Sequence, residues 1–325
     1  MIKILFLYLF FFIEANGLSL DFKKNFGSKG VLENDVNGPY GSYYDKHDNK
    51  IYITDTLSNK IIIYDNTGKY LNEFFIKKIP YYLHVKQAFL KTISAKTGIK
   101  GFYRFIKYRT NTPFGIITIK DKIVVTDEYN QRIIVYNKNG EFIKSIGTFG
   151  MGKYAFKKPL GIFRSPLSNF FFIIDSDNNR IVKYSNNFKY LDEYRFPLGS
   201  KENQLHYPYY GKIDNNENIY IVDRDNNRIV KFSNNFVFLE SIDLKKYNDN
   251  LNYPHDITFD KENNLYIADT DNFRIIAINF RLNRLIYFEN TMIKNPKTIL
   301  SFNQYLLVGE RDVENNTLSL FKIHK

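Results

Sequence analysis

Residues 219–232 read IYIVDRDNNRIVKF: an apolar run ending in Asp223, a polar turn, and a second apolar run opening on Arg228. Runs rich in Ile, Val, Tyr and Phe on either side of Asn and Asp describe two strands joined by a tight turn. The phrase recurs as IYITDTLSNKIIIY (51–64), IVVTDEYNQRIIVY (123–136), FIIDSDNNRIVKY (172–184) and LYIADTDNFRIIAI (265–278). Its acids are Asp55, Asp127, Asp175, Asp223 and Asp269, each followed five residues later by a base: Lys60, Arg132, Arg180, Arg228 and Arg274. The last three steps between acids are 48, 48 and 46 residues. A period in the forties, with short strands in each unit, is the mark of propeller blades.

A proline-led opening precedes every phrase: Pro39-Tyr40-Gly41, Pro113-Phe114-Gly115, Pro159-Leu160-Gly161, Pro208-Tyr209-Tyr210 and Pro254-His255-Asp256. A sixth, Pro296-Lys297-Thr298, leads into a unit where Glu310 stands near the expected acid and the arginine is lost. That unit has no room for a fourth strand before Lys325, and residues 18–26 (LSLDFKKNF) are the obvious supplier. The expected fold is therefore all-β: a six-bladed β-propeller with a short helical insertion between blades 1 and 2, its ring closed by the N-terminal strand so that no sheet edge stays open. The expected boundaries are 1–17 for an export signal and 18–325 for one domain. Within that domain, 18–38 is closing strand and lead-in, 39–77 blade 1, 78–111 a basic insertion, 112–156 blade 2, 157–205 blade 3, 206–250 blade 4, 251–292 blade 5 and 293–325 blade 6.

The D-x-x-N-x-R-I core, intact from Asp127, Asp175, Asp223 and Asp269 and degraded in blade 1 to Ser58 and Lys60, resembles the NHL repeat family. The resemblance covers residues 39–325 apart from the insertion and implies a six-bladed propeller. It leaves the function open, because the family includes binding scaffolds, RNA-binding modules and a zinc lyase.

The repeated acid and base suit a structural task, satisfying turn amides and pairing with each other, since a functional site needs no five copies. Gly147-Thr-Phe-Gly-Met-Gly-Lys153 matches a phosphate-loop pattern, but Tyr154 stands where a magnesium-holding hydroxyl belongs and no helix pattern follows. It reads instead as an interblade linker. A catalytic zinc needs about three converging ligands. Only His255, with the neighbouring His206, offers imidazole near the expected channel mouth, where Tyr40, Phe114, Tyr209, Lys297 and Arg224 are the other candidate binding residues. No motif asks for a cofactor.

Lys3, the apolar run Ile4–Ile13 and the small residues of Ala15-Asn16-Gly17 form an export signal, cleaved after Gly17, too short to span a bilayer. With no cysteine in 325 residues, disulfides, thiolate nucleophiles and cysteine-ligated metals are excluded. An extracytoplasmic location, periplasmic or secreted and bacterial, is expected. The net charge of +12 is local: the stretch from Lys77 to Thr112 contains nine bases and no acid. Residues 82–95 there read as an amphipathic helix, followed by Phe102, Tyr103, Phe105 and Tyr108 interleaved with bases. Lys91, Lys96, Lys100, Arg104, Lys107 and Arg109 are the expected contacts for an anionic polymer, an acidic protein or an anionic membrane surface, the equal alternative being a cap whose apolar residues pack on the blades while its lysines are solvated. Taken together, these features lead to an exported, non-enzymatic binding scaffold whose top face holds its partner. The alternatives are a metal-dependent lyase or hydrolase at the channel mouth and a nucleic-acid-binding propeller, the latter opposed by export.

Overall fold

The computed structural model describes residues 18–27, 35–76, 112–165, 168–288, 293–312 and 316–324. The expected export signal and the basic insertion, with its expected helix, lie outside these residues. Six four-stranded antiparallel sheets are present. Blade 1 consists of Pro39–Asp45, Lys50–Asp55, Lys60–Asp65 and Tyr70–Phe75, paired in sequence order, and blades 2 to 5 repeat that meander from Pro113, Pro159, Pro208 and Pro254. In the sixth sheet Pro296–Phe302, Tyr305–Arg311 and Asn316–His324 are followed by Ser19–Phe26, antiparallel to Asn316–His324.

The same register recurs in every blade. The opening proline pairs with the acid that ends the second strand: Pro39 with Asp55, Pro113 with Asp127, Pro159 with Asp175, Pro208 with Asp223, Pro254 with Asp269 and Pro296 with Glu310. Directly after each proline the ladder slips by a bulge. A bulge re-aims a side chain, and here it falls on the residue that follows each proline. Packing at the axis is tight enough that a Cβ on Gly41 would lie 2.1 Å from the Phe114 carbonyl oxygen, so glycine is required where blades 1 and 2 approach.

The core lies between blades rather than under one sheet. Six apolar clusters fill the six gaps; that between blades 1 and 2, for example, contains Tyr52, Ile61, Ile63, Ile116, Val125 and Ile134. Because each sheet packs on two neighbours, the second and third strands are apolar on both faces, as in IIVY of blade 2. The outermost strands, such as Tyr190–Arg195, are half-buried to exposed throughout.

The repeat acids tie this frame together. Asp127, Asp175, Asp223 and Asp269 are fully buried, and each accepts the Nε–H of its arginine at 2.7–2.9 Å. Each also accepts an amide from the segment just before the opening proline, for instance Thr112 to Asp127 at 3.0 Å and Asn252 to Asp269 at 2.7 Å. Blade 1 departs from the expected pairing. Lys60 reaches Glu73 at 2.8 Å instead of Asp55, because an ammonium lacks the fork that lets a guanidinium serve several partners at once. The linker after Gly147 presents carbonyls, not amides: those of Met151, Gly152 and Ala155 accept from Arg180. That polarity suits a cation and opposes phosphate binding.

Candidate site at the axial mouth

The residues following the six opening prolines gather at one end of the axis. The Tyr40 and Phe114 rings lie 5.4 Å apart, Phe114 and Tyr209 5.1 Å, Tyr209 and His255 4.6 Å, and Tyr40 and His255 6.0 Å. Leu160 packs in the same cluster as Phe114 and Tyr209. Lys297 completes this floor, its Nζ 3.4 Å from His255 Nε2.

The residue after each repeat acid sorts the blades into two kinds. In blades 1, 3 and 5 it is Thr56, Ser176 or Thr270, whose hydroxyl donates to the carbonyl of the next blade's opening proline: Pro113, Pro208 and, at 2.6 Å, Pro296. These are locks between neighbouring blades. In blades 2, 4 and 6 the position holds Glu128, Arg224 and Arg311. The Arg224 guanidinium lies 4.3 Å from the Tyr207 and Tyr209 ring centres and 4.7 Å from Tyr253, a three-tyrosine cage. Arg311 donates to the Tyr40 hydroxyl. Glu128 pairs at 3.0 Å with Lys158, whose ammonium stands 5.0 Å over the Tyr207 ring.

These charges set the protonation states of the floor. Burial, then Lys297, Arg224 and Arg311, hold the His255 imidazole well below its ordinary range, so it is neutral at neutral pH. Its Nδ1 is buried without a hydrogen-bond partner. Lys297 is pulled down to about 8 by burial, with Arg311 and Arg224 adding to the effect and Asp271 opposing it. No carboxylate lies within ion-pair distance of Lys297 among the described residues. Arg224 is paired with Asp225 at 3.2 Å and Lys158 with Glu128, so among the described residues the uncompensated cations beside the aromatic floor are Lys297 and Arg311, an arrangement suited to a negatively charged group.

Six of the sequence candidates, Tyr40, Phe114, Tyr209, His255, Lys297 and Arg224, come together here. Lys91, Lys96, Lys100, Arg104, Lys107 and Arg109 lie outside the described residues. His206 is turned to Asp225 at 3.9 Å with half its side chain exposed, while His255 Nε2 faces an ammonium. Among the described residues no group of three His, Cys, Asp or Glu side chains could hold a metal ion. Sequence reasoning missed Arg311, Tyr207 and Tyr253. Aligning the residue after each acid would have exposed Arg311, and the Tyr-Pro steps at 207–208 and 253–254 would have exposed the two tyrosines.

Among known proteins, a family model described as a six-bladed β-propeller matches residues 103–214, and the NHL repeat model matches residues 251–277. The chain is thus a six-bladed propeller carrying an NHL repeat, in agreement with the resemblance in its repeats. No curated protein matches it. Among solved structures it is similar to a catalytically inactive virginiamycin B lyase from Staphylococcus aureus with quinupristin, at 17% identity over 90% of this chain and 82% of that one, with a TM-score of 0.58. A luciferin-regenerating enzyme gives 12% identity over 94% and 95% of the two chains, with a TM-score of 0.60. A chain of a nidogen/laminin complex gives 16% identity over 87% and 97%, with a TM-score of 0.58. At these identities the likeness is one of fold, shared by enzymes and binding proteins alike.

Proposed function

We propose that this NHL propeller is an exported, non-enzymatic scaffold that holds an anionic partner over its axial mouth, with the basic insertion as a second contact. The observation that carries the reading is the cluster of Lys297, Arg224 and Arg311 around a neutral imidazole, with Lys297 lacking a counter-ion among the described residues. A cation held partly out of water without a carboxylate gains most from an anion brought by a ligand. Exposed Leu57, Tyr129, Tyr253 and Phe273 stand on the turns or lead-ins at the same end of the blades, and such apolar surface suits a macromolecular partner. The pairing of Ser19–Phe26 with the last strand supports closure of the ring by the N-terminal strand, just after the expected cleavage at Gly17.

The test measures binding of poly-L-glutamate, an acidic glycan and anionic liposomes to residues 18–325 across about 50 to 500 mM salt. Binding by one of the three should weaken with salt and fall at least about tenfold in Lys297→Met combined with Arg311→Thr. Removing residues 80–109 separates the share of the insertion. Absence of binding to all three, or binding indifferent to the double substitution, overturns the reading.

A further inference from the structure

The opposite end of the propeller has its own cavity, of about 680 Å³, between the turns that join the first and second strands of blades 1 and 2. Tyr43, Tyr44, Thr118, Lys120, Lys138 and Arg164 are among its lining residues. Charge accounting there is uneven. Of the three lining acids, Asp45 and Asp48 both bind Lys138, the latter at 2.6 Å, and Asp121 binds Lys122 at 2.6 Å. None is left for Arg164.

The Arg164 guanidinium is instead held by backbone carbonyls: Nε donates to Ser165 at 3.3 Å, Nη1 to Thr118 at 3.1 Å and Nη2 to Ser168 at 3.0 Å. Carbonyls fix the plane of the group without neutralising it, and of the five N–H bonds of a guanidinium two remain for a ligand. The group is only part-buried and faces space that a small molecule can enter. Lys46 and Lys120, at the rim, have no carboxylate partner among the described residues either. Tyr43 supplies ring surface, and the three lining acids are already engaged.

We propose that this cavity is a second binding site, separate from the axial mouth, for a small ring-bearing carboxylate whose charge meets Arg164 and whose ring lies against Tyr43. One fixed guanidinium matches a monoanion. A phosphate dianion is held best by several converging cations or a nest of backbone amides, whereas here the two lysines unpaired among the described residues stand out at the rim and the backbone groups engaging Arg164 are carbonyls.

Isothermal titration of residues 18–325 with benzoate tests this, with inorganic phosphate and poly-L-glutamate as separate titrants. Saturable benzoate binding is expected, reduced at least about tenfold by Arg164→Gln and about twofold to threefold by Lys120→Gln, an exposed substitution that leaves the fold alone. Lys297→Met should leave benzoate binding unchanged while weakening poly-L-glutamate. Failure of the axial mouth to bind poly-L-glutamate therefore leaves this site standing. Absence of benzoate binding by the unmodified chain, loss of it in Lys297→Met, or preference for phosphate each overturns the proposal.

Discussion

In blades 1, 3 and 5 the residue after the repeat acid is a hydroxyl that locks onto the next blade; in blades 2, 4 and 6 it is a charged side chain, and both arginines of that set act on the floor of the axial mouth. The backbone frame is the same in both sets, down to the proline–acid pair and the bulge. One position therefore serves assembly in alternate blades and is freed from that task in the others, where the proposed function puts it to use. The difference teaches which departures from a repeat matter: those that abandon a structural hydrogen bond and place charge where blades converge.

Blade 6 is the most divergent of the charged set, and it shows what the acid costs without its arginine. Glu310 is buried, with Oε1 lacking a partner, and burial pushes its carboxyl up to about 7. In blade 3 the equivalent Asp175 shares Arg180, which also holds Glu193 and three carbonyls of the linker.

The largest expected effect comes from breaking the better-paired side of this comparison. Arg180→Ala strands a buried Asp175 and should destabilise the fold by about 3–5 kcal/mol in chemical denaturation, whereas Lys60→Met in blade 1 should cost clearly less. A loss in Arg180→Ala no greater than in Lys60→Met would show that the arginine fork is dispensable.

Next comes Glu310→Gln. The folded carboxyl binds its proton more tightly than an ordinary glutamate does, so its contribution is fully present below the ordinary carboxylate range and is lost as pH rises through about 7. The substitution should stabilise the protein by about 2–3 kcal/mol at pH 8 and change little at pH 4, read as the difference between two denaturation series. An equal effect at both pH values would mean that the missing arginine is compensated elsewhere.

Thr270→Val removes one blade-to-blade lock and should cost about 1–2 kcal/mol with binding at the mouth unchanged. Arg224→Ser, the matching change in blade 4, should cost under about 1 kcal/mol and weaken binding. Reversal of those two patterns would collapse the distinction between the two kinds of blade. The smallest effect concerns pH: anion affinity should drop by a few-fold between about pH 7 and 9 as Lys297 loses its proton, a trend absent in Lys297→Met.

Much of this architecture was legible because the proline and the acid are hydrogen-bonded neighbours in every blade, so physical pairing writes a period into the chain. The floor of the mouth was legible for the same reason, since Tyr40, Phe114, Tyr209, His255 and Lys297 share one position in that period. Blade 1 was misread at Lys60: a base at the right spacing says nothing about the nearby Glu73 that claims it. Arg164 carried no signal at all, because its significance depends on carbonyls of Thr118 and Ser168 and on acids occupied by other cations. Convergence of that kind exists only after the blades close.

The most direct measurement converts the recognition blades to the locking type at the mouth. Arg224→Ser, Arg311→Thr and Lys297→Met together, compared with the unmodified chain and with Thr270→Val, should abolish salt-sensitive binding of the anionic partner selected by the three-probe screen, while the single lock variant binds as the unmodified chain does. Retained binding in the triple variant, folded by its far-ultraviolet spectrum and melting transition, would contradict the assignment of the axial mouth as the recognition site.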